Sequence, residues 1–248
     1  MNQSTATAAV EPQVPVPDGY LKTIANLFLT PTRSFTMLAA TRRWMLPLLL
    51  CAICAVAFEA TTSRYRMADL RDRISHDPTL SQEEVSRRLG NIEAQRMTTI
   101  SYRQLAFGAT MLTVVHVIKT LALAGILWLA VQFFPNTASY GKLFSASAFI
   151  FLVTVPELIF KALLIMAKGS YQVYLGPAAL LPAEWHGSPL FLALDRLDFF
   201  SIWMAVLMAI ALPILTGISK GKAAFTVGCL WFIWALLAML PVRLIQID

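Results

Sequence analysis

The sequence predicts an all-α integral membrane protein. The expected architecture is a five-span helical bundle with an N-terminal interfacial amphipathic helix and a charged helical loop between spans one and two. Of its 248 residues, 57% are hydrophobic and 14% are charged, and the mean hydropathy is +0.64. Soluble domains carry about 25% charged residues. The apolar residues also gather in five runs, each near the roughly 20 residues that a helix needs to cross ~30 Å of hydrocarbon.

The N-terminal region divides into two parts. Residues 1–19 are rich in Ala, Thr, Pro and Gln, a composition that buries little surface, and predict a flexible tail. They lack the basic and apolar regions of a signal peptide, so we expect span one to act as its own insertion signal. Residues 20–43 predict an interfacial amphipathic segment that Pro31 interrupts. Its apolar face holds Leu21, Ile24, Leu27 and Phe28.

The membrane domain is predicted over residues 44–241. Its spans are expected at about 44–62, 105–134, 143–166, 199–218 and 223–241. The loop 63–104 carries eight Arg and six Asp or Glu, with no Lys. Within it, Ser81 followed by Glu84 predicts a capping box, and the helix that starts there is expected to run unbroken into span two.

Two groups of residues have the composition of interfacial anchors. Arg42, Arg43 and Trp44 stand at the start of span one. Asp198, Phe199 and Trp203 stand at the start of span four, where the helix dipole favours an anion. The distribution of Lys and Arg between the connecting segments predicts a cytoplasmic N-terminus and an outside C-terminus.

Four ionisable residues within spans form a candidate intramembrane polar cluster: His116, Lys119, Glu157 and Lys161. A hairpin of spans two and three that turns near residue 138 or 139 would bring Lys119 level with residue 158, next to Glu157. Glu157 and Lys161 are also neighbours at i,i+4 on one helix. Such groups are costly in hydrocarbon and often mark ion pathways.

Two interpretations of this cluster stay open. The cluster is either a proton or ion relay along a water-filled path, or an internal ion pair that stabilises the hairpin and sets its register. The residues favour the ion pair, because the carboxylate has two basic partners and no substrate group is left over.

Motifs for catalysis and cofactor binding are not found. The sequence has no HExxH, GxSxG, phosphate-loop or dinucleotide-loop pattern. Its three His, at positions 76, 116 and 186, are scattered. Cys51, Cys54 and Cys229 lie in apolar runs and are interpreted as small buried side chains. We therefore predict no catalytic residue, no cofactor and no metal.

The net charge of +6 does not predict a nucleic-acid partner, because the basic residues are not gathered on one soluble face. The expected partners are the lipid bilayer and either other membrane proteins or further copies of the chain. The residues do not identify a small-molecule substrate.

Three stretches carry a family resemblance. The runs LDRLDFFSIWMAVLMAIAL and KGKAAFTVGCLWFIWALLAML resemble the C-terminal half of bacterial members of the Yip family, the Ypt-interacting-protein-like five-span membrane proteins. PTRSF at 31–35, with Arg43, Trp44 and Pro47, resembles the family's lead into span one, and Pro156 matches a recurring proline. The resemblance covers about residues 20–241. The charged 63–104 segment departs from the shortest members.

The resemblance implies five spans, a cytoplasmic N-terminus and, for a bacterial chain, the inner membrane. In eukaryotic relatives it implies vesicle trafficking through binding of GTPases and partner membrane proteins. No family catalytic residue exists to transfer. The predicted function is therefore a non-enzymatic multi-pass membrane protein that organises the membrane or scaffolds other membrane proteins. The alternative is a transporter or channel component that uses the polar cluster.

Overall fold

The structure is a computed structural model that describes residues 19–41, 43–77, 80–97, 102–186 and 188–239. These residues contain helices and connecting turns and no strand, which confirms the predicted all-α class. The α-helices are α1 Tyr20–Leu29, α2 Pro31–Ala40, α3 Met45–Ser75, α4 Gln82–Met97, α5 Tyr102–Val131, α6 Tyr140–Ile150, α7 Thr154–Lys168, α8 Pro189–Asp195, α9 Phe199–Thr216 and α10 Lys220–Met239.

Five segments are long and apolar enough to cross a membrane, as predicted. They are Met45–Ser75, Phe107–Val131, Tyr140–Lys168, Phe199–Thr216 and Lys220–Leu237. The third combines α6 and α7 through a 3-10 turn at Phe151–Val153, just before Pro156. Because proline has no N–H to donate, the regular hydrogen-bond ladder cannot continue through this point.

The N-terminal hairpin, Tyr20–Ala40, consists of α1 and α2 with a break at Thr30. Pro31 begins α2, a position where its missing N–H costs little. The Ser34 hydroxyl donates to the Thr23 carbonyl at 2.7 Å and fastens the two helices together. Helix α2 then packs on α9 with Phe35 and Leu38 fully buried, so the hairpin is attached to the bundle.

The charged loop extends one end of the bundle. Helix α3 continues beyond its apolar part to Ser75, and α4 packs beside it, with Arg71 and Glu93 3.5 Å apart. The Glu84 amide donates to the Ser81 hydroxyl at 3.2 Å, as the capping box predicts. The predicted unbroken helix from α4 into span two passes through residues 98–101, which lie outside the described residues, as do residues 1–18, Arg42 and the predicted end of span five.

Spans one and three run parallel, side by side. The Cys51 thiol donates to the Phe151 carbonyl at 3.4 Å, and the amide of Tyr171 donates to the Asp69 carboxylate at 2.8 Å. These partners are 100 and 102 residues apart, and Cys54 meets a carbonyl 101 residues further on. Any residue of span three therefore lies level with the residue about 101 positions earlier in span one.

Helix α6 forms the centre of the bundle. Its residues 145–150 are all buried, and it contacts α2, α3, α5 and α9. Small side chains such as Ser145 and Ala146 let neighbouring helices approach closely, the usual mode of helix packing in a bilayer. Gly169 and Gly217 end α7 and α9 with φ of 71° and 76°, a left-handed conformation that glycine adopts without steric cost. After Gly169 the chain enters the 169–198 segment, and after Gly217 it turns into α10.

Candidate functional site

Glu157 and Lys161 form an ion pair on α7. The Lys161 Nζ donates to the Glu157 Oε1 at 2.7 Å, and both side chains are largely buried, with 31% and 18% of the Lys161 and Glu157 side chains exposed. The i,i+4 spacing on one helix places the two groups on the same face. The pair neutralises both charges where hydrocarbon and protein surround them.

The register with span one fixes the depth of this pair. Lys161 lies near the level of Ala60 and Glu157 near that of Val56. Since the apolar run of span one ends at Thr62, the two Cα atoms lie about 3 Å and about 9 Å inside that boundary at 1.5 Å per residue. The lysine side chain is long enough to extend its ammonium group from this depth to the membrane interface. The pair therefore stands at one rim of the membrane domain, and not at its centre.

Asp195, at the end of α8, completes the charge pattern at this rim. Burial raises the pKa of the Asp195 carboxyl, the positive charges of Lys161 and Arg196 lower it in part, and Asp198 raises it further. Lys161 therefore interacts electrostatically both with Glu157 on its own helix and with Asp195 at the end of α8. This arrangement links α7 to the segment that follows it.

Tyr174 lies in the same region. Burial raises the pKa of its hydroxyl, Arg73 lowers it, and Asp195 and Asp69 raise it. A recess of about 220 Å³ opens between Tyr174 and Lys168, whose ammonium donates to the carbonyl of Gln172 at 2.7 Å. Charged groups of α3, α7 and α8 thus converge on the 169–198 segment.

Three aromatic rings pack against one another within the 169–198 segment. The rings of Tyr174, His186 and Phe191 contact one another with centroids 4.8 to 5.3 Å apart. A Cβ on Gly176 would stand 2.6 Å from the backbone oxygen of Leu194, so only glycine fits this close approach. The segment is a packed cap built on short helices.

His116 and Lys119 lie on α5, away from the ion pair. Helix α5 packs against α3 and α6, whereas α7 packs against α3. The Tyr140 hydroxyl donates to the Leu121 carbonyl at 3.2 Å, although the predicted hairpin register places Leu121 level with residue 156. Within the described residues Lys119 is exposed and has no carboxylate in ion-pair distance, and His116 Nδ1 lies 2.9 Å from the carbonyl of Leu112. Two of the four predicted cluster residues are thus brought together.

The residues predicted as anchors of span one make aromatic contacts. The Arg43 guanidinium lies 4.8 Å from the centroid of the Tyr20 ring, a cation–π contact that ties α1 to the start of α3. Trp44 packs edge-on against Phe144 with centroids 5.5 Å apart. Arg42 lies outside the described residues.

The residues predicted as anchors of span four divide between two roles. Asp198 is 6% exposed and accepts from the Ser201 amide at 2.7 Å, which caps α9. Phe199 is 69% exposed and Trp203 packs against the core. The aromatic side chains therefore point both outward and inward.

Two of the three cysteines contribute to helix packing. Cys51 and Cys54 donate to carbonyls across the interface of spans one and three, at 3.4 and 3.7 Å. Cys229 is exposed on α10, a correction to its interpretation as a buried side chain, because α10 packs mainly against α8 and α9 and the described residues leave one of its faces uncovered. The described residues contain no group of three or more His, Cys, Asp or Glu placed to hold a metal ion.

The N-terminal hairpin presents a second candidate surface. Thr23 and Leu27 of α1 face the protein, whereas Leu21 and Leu29 are 80% and 79% exposed on the opposite side. Phe28 and Ala25 share that exposed side. The predicted apolar face is therefore divided, with Leu27 inward and Leu21 and Phe28 outward. An apolar helix face directed away from the protein suits insertion among lipid headgroups.

The sequence did not single out Asp195, Asp69 or Tyr174 as site residues. Asp195 stands beside the capping Asp198, and Asp69 is one of six acids in the 63–104 segment. Their importance comes from contacts 20 to 100 residues away along the chain, which no local pattern marks.

A family model described as the Yip1 domain matches residues 25–240 of the chain. No curated protein and no solved structure matches it. The matched region includes all five membrane-spanning segments and most of the N-terminal hairpin.

Proposed function

Because the chain belongs to the Yip1 domain family and is a multi-pass membrane protein, we propose that it is a non-enzymatic protein that organises the membrane and scaffolds other membrane proteins. The N-terminal hairpin is its membrane-active part. It lies on the cytoplasmic side and inserts the exposed face of α1 into the headgroup region.

The observation that carries this proposal is the orientation of α1. Leu21 and Leu29 point away from the protein while α2 is seated on α9. Moving a leucine side chain from water to an apolar environment gains roughly 1.5 to 3 kcal/mol. Two such residues on a helix that is attached to the bundle wedge the headgroups of one leaflet apart, which bends or orders the bilayer around the protein.

The spans offer the surface for partners. Only 17 to 33% of the residues in the apolar stretch of each span are buried within the chain. The exposed part of the remainder, which includes Leu129, Phe232 and Leu236, is available to lipid or to the spans of other membrane proteins, including copies of this chain. Scaffolding follows from this large lateral surface combined with an attached interfacial helix.

The transporter alternative has less support. The Glu157–Lys161 pair is closed at 2.7 Å and stands near one rim, whereas Lys119 is exposed on another helix. A relay needs polar groups in sequence across the membrane. We therefore interpret the pair as a structural ion pair within α7.

Reconstitution tests the proposal. The double variant Leu21→Glu/Leu29→Glu places two charges on the exposed face of α1, and its matched control Thr32→Glu/Thr36→Glu places two on the exposed side of α2. At equal protein-to-lipid ratio, the wild type and the control should change vesicle diameter in cryo-electron micrographs, and the α1 variant should leave vesicles like protein-free ones. If the α1 variant changes vesicle diameter as much as the control does, the hairpin has no membrane-organising role.

A further inference from the structure

A membrane-facing cleft runs along the seam between α3 and α7. Its volume is about 210 Å³ and its lining is apolar. Its lining includes Cys54, Phe58 and Thr61 of α3 and Leu158, Ala162 and Met166 of α7. By the register of the two helices, Met166 is level with Tyr65, so the cleft extends along the outer half of the seam and opens at the rim.

A cationic side chain lies one helical turn beyond the cleft residues of α3. Arg64 lies three residues after Thr61, and Tyr65 lies four residues after it. Both are therefore about one helical turn beyond Thr61, the last cleft residue of α3. The Arg64 guanidinium donates to the Tyr65 hydroxyl at 2.6 Å and lies 4.6 Å from the centroid of its ring. Tyr65 thus orients the guanidinium one helical turn beyond Thr61, the last cleft residue of α3.

Arg64 differs from its neighbour Arg66 in its partners. Arg66 is paired with Glu59 at 3.1 Å. In the described part of the chain, no carboxylate lies within ion-pair distance of Arg64, which is exposed. A guanidinium has five N–H donors, so most of those on Arg64 remain available to an acceptor, and its planar geometry suits a phosphate.

We propose that this seam binds one anionic glycerophospholipid from the leaflet opposite the N-terminal hairpin. An acyl chain lies in the cleft between Phe58 and Ala162, and the phosphate accepts hydrogen bonds from Arg64 beside Tyr65. Charge and shape together select this occupant, because the apolar cleft suits hydrocarbon and the cation one helical turn beyond it lies at headgroup depth. The site is separate from the Glu157–Lys161 pair.

Native mass spectrometry of the full chain in mild detergent, titrated with dioleoyl phosphatidylglycerol, tests the site. Arg64→Gln removes the charge and Ala162→Trp fills the cleft. Each should weaken binding of the first lipid by about tenfold or more, as expected for loss of a charged hydrogen bond or of the chain's space. The matched controls are Arg66→Gln, on the paired arginine, and Ala167→Trp, on an exposed position of α7 outside the cleft.

The outcomes separate the two parts of the ligand. Equal lipid binding by Arg64→Gln and Arg66→Gln would overturn the headgroup contact. If Ala162→Trp binds the lipid as Ala167→Trp does, the cleft holds no acyl chain and the proposal fails. If inorganic phosphate at a concentration equal to that of the lipid displaces it, the acyl chain adds no affinity and the site binds free anions, which also overturns the proposal. The wild type should also bind the dioleoyl lipid more tightly than the dihexanoyl lipid, a comparison that needs no variant, and equal binding of the two lipids would contradict the acyl-chain contact.

Discussion

Replacing Phe35 by Ala should detach the N-terminal hairpin while leaving the spans intact. Phe35 is 0% exposed and lies in the core cluster with Leu207 and Leu212 of α9. Truncation of a buried Phe to Ala costs about 3 to 5 kcal/mol, because transfer energy is lost and a cavity remains. Most of that loss falls on the α2–α9 contact, since α2 packs chiefly on α9 and α1.

Hydrogen exchange measures the loss directly. At ~1.4 kcal/mol per tenfold change, the opening equilibrium of the hairpin rises by about two to three and a half powers of ten. Amides of residues 20–40 should exchange faster by at least about a hundredfold, whereas those of α6 stay protected. Phe28→Ala, at a position that is 37% exposed, is the matched control and should change exchange little. If both variants exchange alike, or if α6 loses protection together with the hairpin, the hairpin is not an independent docked unit.

Three further predictions concern the cap and the charged loop. Gly176→Ala places a Cβ 2.6 Å from the Leu194 oxygen and should lower the melting temperature by an amount equivalent to about 1 to 3 kcal/mol. The control Gly90→Ala, with open space around it, should raise the melting temperature slightly. Equal shifts of the two variants would refute the close approach. Burial raises the pKa of Asp195 above its ordinary 3.8, so the folded state binds the carboxyl proton more tightly than the unfolded state does. The stability of the fold therefore falls as pH rises from 3.8 through the higher pKa of the folded state. Asp195→Asn should therefore melt higher than the wild type at neutral pH, with the difference vanishing as pH approaches 3.8; a constant difference at all pH values would contradict the assignment. Ser81→Ala removes a cap worth about 1 kcal/mol, and faster amide exchange confined to α4 is the expected result, with unchanged exchange counting against the cap.

The local features of this fold were predictable because each depends on neighbours along the chain. Hydropathy predicts five spans, since each helix partitions into hydrocarbon through its own side chains. Pro31 predicts the break between α1 and α2, and Ser81 with Glu84 predicts the start of α4. The spacing of Glu157 and Lys161 brings their side chains onto one face of α7.

The depth and the surroundings of that pair were not predictable in the same way. The predicted hairpin of spans two and three assumes that neighbours in sequence set the level of Glu157. The 3-10 turn at Phe151–Val153 interrupts span three, and the level of its second half follows span one through Cys54 and Asp69. Asp195 approaches Lys161 from α8. The position of α8 depends on the close contact between Gly176 and the backbone oxygen of Leu194.

By itself the amino-acid sequence determined that the chain resides in a bilayer, how many times it crosses and where its helices begin, because the solvent preference and caps of a helix are properties of short segments. The tertiary structure decided that spans one and three lie side by side, that an apolar cleft opens between α3 and α7 and that Leu21 faces outward. In hydrocarbon every apolar face is equally solvated, so hydropathy cannot choose between neighbours, and close packing and a few polar contacts make that choice.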